Sequence, residues 1–471
     1  MSIFKNKENN LIKLIQLTTK SEKSYIKKYL NRFVSKEATF TTRLFDMYVK
    51  NKEINDEKFR IKLGVVPPIY ANYKYQLYKL ILQALTEISK NQSIQSQIIN
   101  HLAQIEVLYD KSLFSDALIL IVKAKTTAKK HQEYRLLPQI IQWQMVVMQF
   151  VKSDEKDFTN EKNKLLEESI SYLEIQKNIT EYQQIKKDYQ SIRAKYKDDQ
   201  KKLIIESKQL LNRPILRTDF TPLSSLAKLH YYQLHYLINL GINLQLANEN
   251  ATSMLHVLQY ELGEEYIKHN LSQYVDAHVN LLVSACEMRN KEGFTKALSD
   301  IENLETDYSK TMNKETSVQI FRSKYLLLSE HFHWFNATDK VIDSVQLIKN
   351  GIEKYENKIR PIITAQIYFG IGNAFFKKGE FNRAIGCYSK ALDTPKESML
   401  GATFIKANIM NLICYHETNY IHITHIIENT KKSLTDLPQD GYENKVLQHI
   451  QNPKKEKPNT SEEWPYLLWY K

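Results

Sequence analysis

The sequence predicts an all-α protein that begins with a basic helical module. Three observations carry this. Apolar residues recur with a 3.6-residue period along almost the whole chain, and no stretch alternates as a half-buried strand would. Glycine and proline number only 11 each in 471 residues, so turns are sparsely punctuated and long helices are favoured. The charge is unevenly placed. Of a formal net +13, residues 1–90 hold 18 Lys and Arg against 8 Asp and Glu, whereas residues 91–471 hold 48 against 45.

Hydrophobic residues make up 42% and charged residues 25%, which excludes wholesale disorder and leaves ample material for a core. Lys outnumbers Arg 55 to 11. An A/T-rich coding bias explains part of that excess but would spread it evenly. A local field of one sign asks instead for an anionic partner or surface.

Within residues 1–90, Asn10 to Thr18 reads as a short helix. Ser21 is placed to cap the next, whose Tyr25, Ile26, Tyr29, Leu30 and Phe33 share a face. A third runs from about Arg43 to Lys50, and Asn55 or Asp56 caps a fourth that stops at Gly64. Pro67 and Pro68 interrupt the chain before a long helix from Tyr70 to Lys90, where Tyr70, Tyr73, Leu77, Tyr78, Ile81 and Leu85 interleave with Lys74 and Lys79.

Residues 91–451 read as helical repeats. Inside them, the highly charged stretch 155–211 reads as two long helices, the second begun by a capping box at Thr180 and Gln183 and ended by Asn212 and Pro214. Thr221 with Pro222 is the expected start of the helix after it. The clearest repeat is Ala365 to Pro395. Tyr368, Ile371, Gly372 and Phe375 lie on its first helix, and Lys378, Gly379 and Glu380 make a turn. Ala384, Tyr388 and Ala391 follow on its second, and Pro395 closes it.

This unit resembles the tetratricopeptide repeat, with small residues where two helices cross and aromatics where they lock. Weaker copies occupy 98–131 (Leu108, Ala117, Ile121, Ala124), 278–311 (Leu281, Ala285, Phe294, Ala297) and the stretches around Val341 to Gly351 and Tyr420 to Ile427. The resemblance implies a tetratricopeptide-like solenoid of helix-turn-helix units. The whole chain also resembles a group of uncharacterised bacterial helical-repeat proteins with a Lys-rich front end, a likeness carried by TTKSEKSYIKKYL, NYKYQLYKLILQAL and the degenerate repeats. No activity comes with it.

The tail, 452–471, is a Pro/Lys/Glu-rich linker ending in EEWPYLLWYK. Its Trp464, Tyr466 and Trp469 either cap the last repeat or dock elsewhere.

No catalytic constellation stands out, and no cofactor or metal site is expected. His331 and His333 are two apart and fall on different sides of a helix; His422 and His425 share a face but lack a third ligand. Phosphate-binding loops, HExxH and GxSxG are missing. Cys286, Cys387 and Cys414 form no CxxC and read as small buried hydrophobes in a reducing compartment. The N-terminus carries charges where a signal peptide would be apolar, and the longest uncharged run, Leu229 to Asn248, is too polar to cross a bilayer. A cytoplasmic protein without a transmembrane segment is the expectation.

Two functional readings remain. In the first, the concave face of the solenoid binds a protein or peptide without catalysis, through Gln366, Phe369, Asn373, Phe376 and Lys377 along one stripe of a first helix. Asn373 and Lys377 are expected at the surface. In the second, residues 1–90 bind nucleic acid, with Lys58, Arg60, Lys62, Lys74 and Lys79 meeting phosphates.

Overall fold

The computed structural model describes residues 7–32, 36–51, 55–90, 93–151, 155–196, 199–355, 358–394, 401–433 and 442–451. Phe33, Pro395 and the tail 452–471 lie outside them. The described residues are helical, with turns between helices and no strand. The chain divides into two compact units, Met1–Gln176 and Lys177–Lys471.

In the first unit, helices Lys7–Leu17, Lys20–Leu30, Lys36–Lys50, Asp56–Leu63 and Pro67–Ser89 enclose one core that includes Leu11, Ile26, Phe45, Phe59, Leu77 and Ile81. The second helix starts earlier than Ser21 would allow. Thr19 caps it, accepting from the Glu22 amide while the Glu22 carboxylate accepts from Thr19, a complete capping box. Asn55 caps the fourth helix, which stops at Gly64 in the left-handed region. Pro67 and Pro68 open the fifth helix rather than precede it, because a first turn needs no amide donor there.

One carboxylate ties the fourth helix to its neighbours. Asp56 accepts from the Tyr48 hydroxyl at 2.7 Å, the Tyr70 hydroxyl at 2.9 Å and the Lys74 ammonium at 2.7 Å. Burial works against its charge, but these donors outweigh burial and hold its pKa below the ordinary value. Farther along the unit, Ile94–Asp110, Phe114–Lys130 and Leu137–Met148 enclose a second core around Ile98, Ile121, Ala124 and Ile140.

The charged stretch does not break at Thr180. A single 41-residue helix, Glu155–Lys195, runs through it, followed by Gln200–Leu211. No glycine or proline interrupts it, and a capping residue cannot stop a helix whose next turn still gains backbone hydrogen bonds. Pro214 lies in a short 3-10 turn, and the following helix, Ser225–Asn239, is capped by Ser224 rather than begun at Thr221.

The second unit continues as helical hairpins: Ser225–Asn239 with Leu244–His256, Leu271–Glu287 with Lys291–Asp307, Lys314–His331 with Thr338–Asp343 and Val345–Tyr355, Pro361–Lys377 with Phe381–Leu392, and Gly401–Glu417 with Ile423–Ser433. First helices of successive hairpins pack on one another from Leu271–Glu287 through Gly401–Glu417, and their shared core runs from Leu229 to Ile450. The free cysteines are all buried in it. Ala384 is fully buried in the 381–392 helix.

Four hairpin turns of the second unit share one geometry, which the turn between Ser225–Asn239 and Leu244–His256 lacks. After a first helix, Arg289, Asn336, Gly379 and Asn419 take positive φ between 50° and 75°. The next amide then reaches back five residues: Asn290 to the Ala285 carbonyl, Ala337 to Phe332, Glu380 to Phe375 and Tyr420 to Tyr415. This is the Schellman closure, which satisfies carbonyls that the helix end leaves free. Ser112 and Gln132 close helices of the first unit in the same way.

Two glycines of one hairpin separate backbone strain from packing. Gly379 has φ +75° and open space where a Cβ would stand, so Gly379→Ala should destabilise by about 1–2 kcal/mol from its backbone alone. At Gly372 a Cβ would lie 2.5 Å from the Tyr388 ring, so Gly372→Ala should cost about 1–3 kcal/mol through overpacking. Tyr388→Leu itself loses the hydrogen bond to Asn373, so it serves as the reference: in that background Gly372→Ala should cost less than in the wild type, and Gly379→Ala the same. Thermal melts of the three single and two double variants test this, and an equal change at both sites would refute the distinction.

Candidate functional site

In the second unit a cleft of about 340 Å³ is built almost wholly by first helices. Gln366 and Phe369 come from Pro361–Lys377, Glu330 from Lys314–His331, Lys406 from Gly401–Glu417 and Glu287 from the end of Leu271–Glu287. Trp334 enters from the turn after His331. The helices can approach because Gly370 lacks a side chain: a Cβ there would stand 2.3 Å from the Ser329 carbonyl oxygen.

The Arg289 guanidinium lies 3.5 Å from the centre of the Trp334 ring, a cation–π contact that fixes one wall. Burial, and then the charge of Glu287, push Glu330 up to about 7. Burial, with help from His331, Lys377 and Arg289, pushes His333 down to about 3, so its imidazole is neutral at physiological pH. His331 is also lowered by burial. The helix ends at His331, and the turn beyond brings His333 to the same cleft, not to another side. Aromatic faces, an amide and carboxylates on one wall can hold a polypeptide. The Cys286 thiol near this end of the unit is pushed up to about 12 by burial and is not poised as a nucleophile.

The stripe expected to bind is divided by the structure. Gln366 and Phe369 line the cleft, and Lys377 is exposed. Asn373 and Phe376 are corrections to the expected surface. Asn373 is 2% exposed and accepts from the Tyr388 hydroxyl at 2.7 Å, holding the two helices of its hairpin together. Phe376 is fully buried, with its ring edge-on to Phe381. Both face the hairpin partner because the buried arc of this helix is wider than the motif residues alone indicate. Glu287, Glu330, Trp334 and Lys406 were missed; they fall on other hairpins, and finding them required knowing how successive hairpins stack.

Of the cations named in residues 1–90, Lys58 and Lys62 are exposed, and Lys79 is exposed with its ammonium over the Tyr75 ring. Arg60 pairs with Glu57 and donates to the Val65 carbonyl. Lys74 is a correction: it is 8% exposed and paired with Asp56, so it braces the core and does not face solvent. His422 also departs from expectation, lying in the turn before Ile423–Ser433, while His425 contacts Asn429. Among the described residues no cluster of His, Cys, Asp and Glu is arranged to hold a metal, and no helix is long and apolar enough to cross a membrane.

Comparison with known proteins returned no match to a family model, to a curated protein or to a solved structure.

Glu330 gives the cleft a pH signature. Its folded pKa of about 7 stands above the ordinary glutamate value of 4.5, so the folded state holds the proton more tightly than the unfolded chain. The stabilisation is full below the unfolded value and is lost as pH rises through the folded one. Glu330→Gln keeps a neutral side chain at every pH. The variant should therefore melt above the wild type at pH 8, by an amount on the order of 1–3 kcal/mol, with the gap closing towards pH 5. A gap that does not change with pH would show that Glu330 is hydrated in the folded protein.

Proposed function

We propose that the hairpins form a tetratricopeptide-like solenoid that acts as a non-catalytic scaffold, binding a protein or peptide partner on its first-helix face. The observation that carries this is the make-up of the cleft: residues from successive first helices converge on it, and they combine Phe369 and Trp334 with Gln366, Glu330 and Lys406. Stacked helical repeats use such continuous faces for recognition. The buried centre supplies structure, and the amide, aromatic and charged groups at the cleft supply contacts.

A photo-crosslinking residue at Phe369 should capture a partner in cells, and the same residue at Ile119, an exposed site in the other unit, should not capture it. Gln366→Ala with Lys406→Ala should reduce the capture and leave the melting temperature within about 0.5 kcal/mol equivalent. Asn373 is unsuitable for this test because its loss removes a buried acceptor. Identical capture from both sites, or from the double variant, would move the binding face elsewhere.

A second reading rests on the exposure of Lys58, Lys62 and Lys79 in the basic N-terminal stretch: this region binds nucleic acid through phosphates. Phosphate neutralisation releases counterions, so the full chain should bind duplex DNA with a log–log salt slope near −0.9 per phosphate contacted. Changing Lys58, Arg60, Lys62 and Lys79 to Gln should flatten that slope. Weak binding with little sequence preference is expected, because a lysine is a point charge. No binding at low salt would eliminate this reading.

A further inference from the structure

A second cleft in the Lys177–Lys471 unit has different walls. Its volume is about 630 Å³. The second helices Leu244–His256 and Lys291–Asp307 flank it, with the first helix Leu271–Glu287 between them. Leu255, Leu281, Met288, Ala297 and Leu304 supply apolar surface. Asn248 and Thr252 stand on one polar wall, and Asp300, Asn303 and Asp307 on the other. No lining residue is shared with the first-helix cleft.

The acidic wall has a regular spacing. Asp300 and Asp307 are seven residues apart on one helix, so they share a face about 10 Å apart along its axis. No ion pair engages either carboxylate among the described residues. Lys296, one turn before Asp300, is the lining cation and leaves the acidic charge in excess.

His278 adds an independent feature. Its side chain lines the cleft and is only 6% exposed, yet neither Nδ1 nor Nε2 has a hydrogen-bond partner. The ring packs edge-on to Tyr274 at 4.7 Å. Burial lowers its pKa against the pull of Asp300, which keeps the imidazole neutral. A neutral imidazole offers one donor and one acceptor, the complement of a peptide carbonyl and amide. A ligand group paired with either nitrogen would satisfy a polar atom that burial otherwise leaves without a partner.

We propose that this cleft binds a basic amphipathic peptide segment of another protein. Its apolar side chains meet the leucine and methionine surface, a main-chain amide group meets His278, and Lys or Arg side chains meet Asp300 and Asp307. Charge selects this occupant. Carboxylates repel phosphate, which rules against nucleic acid, and the aliphatic floor suits apolar side chains better than sugar rings. The site stands apart from the first-helix cleft, so failure at one leaves the other untouched.

The test uses the full chain and a fluorescein-labelled amphipathic Leu–Lys peptide, with a Leu–Glu peptide of the same pattern as control. Anisotropy at physiological ionic strength should show binding of the Leu–Lys peptide only. Asp300→Asn with Asp307→Asn should weaken it about tenfold or more, the loss expected for charge-assisted contacts. Asp343→Asn with Glu353→Gln, exposed acids on another hairpin, should leave it unchanged. In histidine-labelled protein, the imidazole resonance assigned by its absence in His278→Gln should shift when the peptide is added. Equal binding of the Leu–Glu peptide, equal binding to the Asp300/Asp307 variant, or an unmoved His278 resonance would overturn the proposal.

Discussion

A helix that turns back on itself must do something with the carbonyls at its end. Here Arg289, Asn336, Gly379 and Asn419 enter the left-handed region so that the following amide can reach back into the last turn. Without that closure the second helix of each of these four hairpins would leave at another angle, and the packing beyond it would fail. The interlocking contacts depend on this return path. Gly370 meets the Ser329 carbonyl, Gly372 meets Tyr388, and Gly351 leaves room for the Phe321 ring. Each removes a side chain where two helices must come closer than side chains permit.

The same closure explains what could be read from the sequence. The helical hairpin formed by Pro361–Lys377 and Phe381–Leu392 was legible because Gly379 marks its turn and small residues fall at its crossings. Arg289 makes an equivalent turn with no such mark, since backbone hydrogen bonds hold the geometry whichever side chain is present. The helical character was legible nearly everywhere because burial follows a period. Facing was harder to read. Asn373 and Phe376 look like groove residues on a wheel, but the Pro361–Lys377 helix has neighbours on several sides and buries them. Lys74 looks like a free cation until the fold brings Asp56 beside it from 18 residues away. Long helices also hide their ends: Thr180 offers a cap that the continuous helix does not use.

The two clefts of the second unit differ in where their polarity is stored. In the first-helix cleft, Glu287 and Glu330 are close enough for one to raise the proton affinity of the other, and Arg289 braces Trp334. Charge there is partly balanced inside the protein. Along the second helices, Asp300 and Asp307 are held apart by two turns of helix, and the buried imidazole of His278 contributes polarity without charge. One surface is tuned by its own neighbours; the other leaves its carboxylates for something outside.

Stacking that relies on nearest neighbours also has a consequence for biosynthesis. Most packing in the second unit joins a helix to its hairpin partner or to a helix of the adjacent hairpin. As the chain leaves the ribosome, each hairpin can therefore settle on the one already emerged, without waiting for a distant segment. The growing end is the vulnerable place, because the newest hairpin shows its apolar face until the next one arrives. For this unit, the order of synthesis and the order of assembly can coincide.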